Sequence, residues 1–321
     1  MRIRQVLGSL ELGSVRGLLM RLYHGVGRGR KPYDPVQVLK AQLLKHLFRV
    51  PSDRRLALLL KKDRKVAEAC GFKGETPSHG LFTQFRHRLD KGGYEKVFSA
   101  LVHQLLSDGV VEGEVVALDS TAIKAYSQRS LDNKTGKSDR EARVGRGRRG
   151  FILGYKVHTA CCTKSELPLA FTVEPCNVNE KRCFQPLLRK LKAQGVSFKT
   201  IVADAQYDSE KARETAREYG AEPIIPYRKS SRIRGALKVG HDFVVHGVKR
   251  LVRLFRKRVC IERVFSRAKE WLLLDGLRVR GLEQVFIQAC LSFSAMLVVA
   301  LTAVRQHQPC LIRSIKHYTA Q

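Results

Sequence analysis

The chain reads as an α/β protein: a mixed sheet flanked by helices, preceded by a smaller all-helical region. Three observations predict this. Residues 1–110 carry apolar residues at helical spacing, punctuated by capping residues and tight turns. From residue 113 the pattern changes to short apolar runs of strand length, at 115–120, 151–162, 167–173, 199–204 and 222–226, with helix-patterned stretches between the later ones. Two long helical stretches, roughly 252–273 and 282–305, close the chain.

In the helical region, Asp34-Pro35 supplies a capping residue and a first-turn proline ahead of residues 36–50, where Val38, Leu39, Leu43, Leu47 and Phe48 follow helical spacing. Ser52 caps a second helix running to Leu60, and Asp63 caps a third that Gly71 ends. Ser78 opens a fourth, 79–89, carrying Gln84, Arg86, His87 and Arg88, and Gly92-Gly93 breaks the chain before a further helix over 94–107. Short helices with a basic last member resemble a helix-turn-helix arrangement, which makes Arg86 and Arg88 candidate DNA contacts; the alternative is an ordinary solvated face.

In the second region, residues 126–150 are polar and basic, with Arg146, Arg148 and Arg149 beside glycines, and read as a mobile loop able to meet DNA. Lys164-Ser165 turns the chain between two strands. Asn179–Ala193 is a helix closed at Gly195, Ser209 caps a helix that Gly220 stops, and a basic insertion fills 228–250. Three early strands followed by alternating helices and strands match a ribonuclease-H-like sheet, in which the first and fourth strands are neighbours. The expected domains are a helical DNA-binding region over 1–110, a sheet domain over 111–310 and a tail over 311–321.

Sixty Lys and Arg stand against 29 Asp and Glu, for a net charge of +31. Such a field attracts polyanions, nucleic acid first and anionic membrane second. The eight cysteines form no C-x-x-C pair, which argues against a zinc site and a secreted disulfide framework and fits a reducing cytoplasm. Glu11 and Arg16 break any apolar region of a signal peptide. Residues 285–304 carry no charge and are long enough to cross a bilayer, but Gln288, Ser292, Ser294 and Thr302 dilute them; the reading taken is a buried core helix, with no membrane partner.

With acids scarce, three stand out. Asp119 interrupts the run Val115-Val116-Ala117-Leu118, Asp204 ends Thr200-Ile201-Val202-Ala203, and Glu262 lies in the cation-rich apolar stretch 258–265. A carboxylate in apolar surroundings is costly unless paired or bound to a cation. Taken alone, Asp204 could cap a turn and Glu262 could belong to a helix ion pair. Together they form a suitable oxygen set for a divalent ion such as Mg2+, for which Mn2+ can substitute. One helical stripe is expected to carry Phe255, Arg258, Glu262 and Lys269.

The motifs then resemble those of prokaryotic insertion-sequence transposases of the DDE class. Ala117-Leu118-Asp119-Ser120-Thr121 resembles their first acidic motif and Val202-Ala203-Asp204-Ala205-Gln206-Tyr207-Asp208-Ser209 the second. Phe255, Arg258, Glu262 and Lys269 match the spacing of the Tyr-Arg-Glu-Lys signature, with Phe in place of Tyr. Gly154-Tyr155-Lys156-Val157-His158 resembles the strand after the first acid. The resemblance implies that Asp119, Asp204 and Glu262 bind catalytic metal. It also implies that Arg258 and Lys269 touch DNA phosphates, with Phe255, Lys156 and His158 among the DNA contacts.

The expected function is a DNA transposase. It would bind the terminal inverted repeats of its element, cleave at the ends and join the freed 3′-hydroxyl to target DNA by two-metal phosphoryl transfer. It would work as a homodimer in the DNA complex, in the cytoplasm at the nucleoid. The alternatives are a metal-dependent nuclease or resolvase of the same fold and a non-catalytic basic DNA-binding protein derived from a transposase.

Overall fold

The computed structural model describes residues 6–8, 13–21, 32–147, 150–228 and 247–319. The expected contacts Arg148 and Arg149 and nearly all of the basic insertion 228–250 lie outside the described residues. In chain order the helices are α1 (Gly13–Met20), α2 (Pro35–Leu47), α3 (Asp53–Lys62), α4 (Arg64–Cys70) and α5 (His79–Ser107). Strands β1 (Val115–Lys124), β2 (Arg143–Gly147), β3 (Gly150–Cys162) and β4 (Pro168–Pro175) follow. Then come α6 (Lys181–Ala193), β5 (Thr200–Ala203), α7 (Glu210–Glu218), β6 (Glu222–Ile224), α8 (Lys249–Arg256), α9 (Val259–Trp271), α10 (Leu282–Arg305) and α11 (Ile315–Thr319).

The chain divides into two compact units, residues 1–105 with 267–321, and residues 106–266. The division differs from the expected domains of 1–110 and 111–310, because α10 packs against α2 in the helical unit.

Local chemistry sets the helical unit. Asp34 accepts the Val36 N–H at 2.9 Å, Ser52 the Arg55 N–H at 3.3 Å and Asp63 the Val66 N–H at 3.1 Å, each satisfying a donor that a helix start leaves open. Gly71, at φ +101°, ends α4 in the left-handed conformation that favours glycine. The break within α5 falls at Asp90, not at the Gly92-Gly93 pair itself. Asp90 adopts φ 52°, and its carboxylate accepts the Gly93 N–H at 2.9 Å, capping the second half. Gly93 serves packing: a Cβ there would fall 2.3 Å from the buried Leu89 Cδ1.

Helix α10 is the spine of this unit. It is apolar enough to cross a membrane, yet 94% of its most apolar window is buried, as a core helix requires. His46 of α2 reaches it, with Nδ1 2.9 Å from the Leu272 carbonyl and 3.2 Å from Ser292 Oγ. Asp53 takes Lys45 Nζ at 2.8 Å and Arg86 Nη1 at 2.6 Å, in a network whose side chains are at most 13% exposed. Burial opposes the Asp53 charge, and the two cations outweigh it and hold its pKa below the usual carboxylate value.

The second unit is built on the expected ribonuclease-H-like sheet, with strand order β2-β3-β1-β5-β6 and β4 also paired with β3. β1 pairs antiparallel with β3 and parallel with β5, and β5 pairs parallel with β6. The expected loop over 126–150 contains strand β2, paired with the start of β3. Its Arg-Val-Gly-Arg-Gly composition hides it from periodicity. Gly145 lets this strand approach closely, since a Cβ there would sit 2.1 Å from the Cys176 carbonyl oxygen. Asp139 anchors the preceding stretch by accepting the buried Tyr155 hydroxyl at 2.8 Å.

Two enclosed histidines make the fold acid-sensitive. Burial pushes His46 down to about 3 and His158 down to about 4. An unfolded histidine takes up its proton near 6.5, so below that pH the unfolded chain binds more protons and stability falls with acidification. The two histidines' contribution to the thermal-unfolding midpoint should therefore decline steadily from pH 6.5 to 4. His46→Gln should flatten that decline, whatever its effect on the midpoint at pH 8; an unchanged slope would remove His46 as the cause.

Candidate active site

Val116, Ala117 and Leu118 of β1 and Ile201, Val202 and Ala203 of β5 are fully buried, so both strands are fixed by packing on both faces. Their parallel register pairs Leu118 with Ala203. The next residue on each strand is an aspartate, which brings Asp119 and Asp204 side by side. Asp204 also serves the turn that follows, accepting the Gln206 N–H at 2.9 Å. The turn-capping reading of Asp204 therefore holds.

Asp119 accepts the Ser120 N–H at 2.7 Å and, through its other oxygen, Arg258 Nη1 at 2.7 Å. Burial pushes its carboxyl up to about 7. Asp204 and Glu262 add to the shift, while Arg258 and the Ser120 N–H oppose it. Asp204 is raised as well, by burial first; Gln206 and Arg258 counter the shift and Glu180 adds to it. Glu262 lies in the first turn of α9, its side chain 58% exposed, and accepts Arg258 Nη2 at 3.2 Å. One guanidinium thus bridges Asp119 and Glu262. As they stand, no three His, Cys, Asp or Glu side chains among the described residues are gathered closely enough to hold a metal ion.

The expected single stripe through Phe255, Arg258, Glu262 and Lys269 is interrupted. Phe255 belongs to α8, Glu262 and Lys269 to α9, and Arg258 lies in the turn between these helices. The Phe255 ring lies beside that guanidinium, 5.8 Å from its centre. Lys269 falls in the helical unit, half-buried, its pKa lowered by burial against the pull of Asp275.

The other expected DNA contacts divide by burial. Lys156 is 9% exposed and bonded to Glu180 at 2.5 Å; His158 is fully buried, 3.4 Å from the Tyr207 hydroxyl. Arg86 is taken by Asp53. All three are engaged with partners inside their own units. Arg146 is exposed on β2, and Arg88 is exposed on a groove of about 1190 Å³ that Arg54, Lys61 and Lys73 also line.

Sequence reasoning passed over one residue near the acids: Glu180, the residue before α6, is 7% exposed and raises the Asp204 pKa, and no spacing rule marked it. Tyr207, quoted within the second acidic motif, is fully buried.

Known proteins share this architecture. The profile described as Transposase DDE domain matches residues 112–298, and that described as Transposase domain (DUF772) matches residues 2–88. No curated protein matches the chain. Among solved structures, the chain is similar to the piggyBac transposase synaptic complex with hairpin DNA, with TM-score 0.51 and 8% identity over 98% of this chain and 76% of that one. Looser likenesses are to the Mos1 transposase paired-end complex with left transposon end (TM-score 0.23, 10% identity, 78% and 82% of the two chains) and the Drosophila P element transposase strand transfer complex (0.30, 13%, 96% and 70%). At such identities the piggyBac likeness bears on the fold alone. The profile matched over 112–298 covers more than half of the chain, and its two strand-borne aspartates lie within that span: the chain belongs to the family of transposases with a DDE domain.

Proposed function

We propose that this transposase binds the terminal inverted repeats of its element, cleaves DNA at the ends and joins the 3′-hydroxyl to target DNA, using Asp119, Asp204 and Glu262. The carrying observation is the adjacency of Asp119 and Asp204 on parallel β1 and β5, with Glu262 tied to Asp119 through Arg258. The donor set suits Mg2+ or Mn2+: all three ligands are carboxylate oxygens, and a cationic guanidinium already lies between two of them. A divalent ion bound there would help deprotonate the attacking hydroxyl and stabilise charge on the phosphate oxygens. β1 and β5 hold the two aspartates rigidly, as in-line displacement demands. Glu262, on a helix start and more exposed, is the adjustable member.

DNA would lie along α8. Lys249, Arg253 and Arg256 recur at helical spacing on one side of this helix and Lys257 follows it; all four are exposed, and none forms an ion pair with a described residue. Arg250, by contrast, is taken by Glu222. The cation series ends one residue before Arg258, so a strand held by α8 runs to the acids. Phe255 has no hydroxyl to hold a phosphate but offers a ring face for a base. The protein would act as a homodimer joining two DNA ends, in the cytoplasm at the nucleoid.

Cleavage of a donor plasmid in Mg2+ should fall at least about a hundredfold in Asp119→Ala, Asp204→Ala and Glu262→Ala, the scale of losing one preorganised electrostatic group. Normal cleavage in all three would place the chemistry on other residues, no cleavage by the wild type would leave a basic DNA-binding protein, and nicking without target-joined product would leave a nuclease.

Asp119 should also betray its role in stability. Its native carboxyl keeps a proton up to about 7, whereas the unfolded side chain releases it near 3.8. The native state therefore binds more protons between those values, and stability is lost as pH rises through that window. In EDTA, the melting midpoint of Asp119→Asn relative to wild type should climb from pH 4 to 7 and then level off. A flat difference would contradict this account of the site.

Replacing Lys249, Arg253, Arg256 and Lys257 together by Gln should weaken duplex binding. It should also reduce the log–log salt slope by about 3.6, on the order of 0.9 for each phosphate that is no longer neutralised. An unchanged slope would place the DNA elsewhere.

A further inference from the structure

Arg258 spends its guanidinium in an unusual way for a protein with a large excess of cations. Nη1 donates to Asp119 at 2.7 Å and Nη2 donates to Glu262 at 3.2 Å, so one planar fork spans two acids from different elements. Its side chain is 19% exposed, and it stands in a turn between α8 and α9 rather than inside either helix. Arginine is suited to this bridge because its donors are fixed in one plane; a lysine ammonium is a single point of charge. The oxygens that Arg258 occupies are those a divalent ion would need. The exposed cations of α8 would bring a DNA phosphate to the same turn.

We propose that Arg258 is an exchangeable internal cation. In the DNA-free protein it bridges Asp119 and Glu262 and competes with a divalent ion for their oxygens. When a DNA strand arrives along α8, the guanidinium transfers to a phosphate and frees both acids. This inference rests on the reading of Asp119 and Glu262 as cation ligands. Its consequence is reciprocal: because leaving the acids is the shared step, DNA binding and divalent-ion binding each strengthen the other. No covalent bond changes; one pair of charge-assisted hydrogen bonds is exchanged for another. The arrangement restrains metal loading until substrate is present.

The test is Mn2+ binding to the full-length, DNA-free protein, followed by the loss of the free-ion electron paramagnetic resonance signal. Arg258→Gln should bind Mn2+ about tenfold more tightly than wild type, the worth of one charge-assisted hydrogen bond. Arg258→Lys keeps the charge and loses the fork, and should still bind more tightly than wild type by roughly threefold. If the lysine variant matches wild type while only the glutamine variant gains, the effect is long-range charge and the exchange is refuted. No gain in either variant refutes it as well. Adding Asp119→Asn and Glu262→Gln to Arg258→Gln should abolish the gain; if the gain survives, the acids are not the cation ligands and the underlying reading fails instead. For the DNA half, duplex affinity is compared in Ca2+ and in EDTA. The gain from Ca2+ should be about tenfold larger in wild type than in Arg258→Gln, and equal gains would overturn the coupling.

Discussion

Leu118 on β1 pairs with Ala203 on β5, and the next residue on each strand is an aspartate. The site depends on this parallel pairing. A one-residue slip of either strand would send its aspartate to the other face of the sheet, because strand side chains alternate. The apolar runs before the acids oppose the slip: Val116, Ala117, Leu118, Ile201, Val202 and Ala203 are all fully buried, and a shift would misfit their packing and draw an aspartate into a position meant for an apolar side chain. The residues that fix the register are therefore distinct from those that carry chemistry. Substitutions in the runs act on the site through geometry rather than through contact.

Placing two acids together at the end of a buried sheet is unfavourable for the fold. Burial and mutual repulsion push Asp119 up to about 7, where an ordinary carboxylate is fully ionised. The chain lowers this cost without removing it. A backbone N–H and a guanidinium serve Asp119, and a backbone N–H serves Asp204. Uncompensated negative charge remains, which is the condition under which a divalent ion gains most on entering. Nearby charges that need no such flexibility are instead closed in pairs: Lys156 with Glu180, and Arg263 with Glu166. The contrast separates a structural ion pair, in which both partners are satisfied, from a site in which the acids outnumber the cation serving them.

Much of this was legible in the sequence because apolar runs and capping residues act locally. The three interior strands and the helix caps at Asp34, Ser52, Asp63 and Ser209 follow from residues close in the chain, and the order of elements along the chain matched a ribonuclease-H-like sheet in which β1 lies beside β5. What escaped depends on distant partners. β2 has no apolar alternation, because its glycine packs against the Cys176 backbone instead of filling a core. Two glycines point to the break in α5, yet it is Asp90 that takes the positive φ and Gly93 makes room for Leu89. The turn at Lys257–Arg258 interrupts a stretch whose periodicity runs on through it.

The cations were the least legible feature. In a chain of net charge +31, nearly any basic segment can be read as a DNA contact. Burial and pairing separate them, and neither is local: Arg86 is claimed by Asp53 and Lys156 by Glu180. The same logic applies in reverse to α8, whose basic side is exposed and where, among the described residues, Arg250 alone is tied to an acid, Glu222. A basic residue held by a buried acid cannot reach a phosphate without leaving that acid uncompensated, which is costly. Arg258 stands between these classes. It is held by acids, but one of them, Glu262, is more than half exposed and so can be released to water at little cost. That intermediate standing, rather than charge alone, is what suits a single arginine to serve the acids before DNA arrives and the phosphate afterwards.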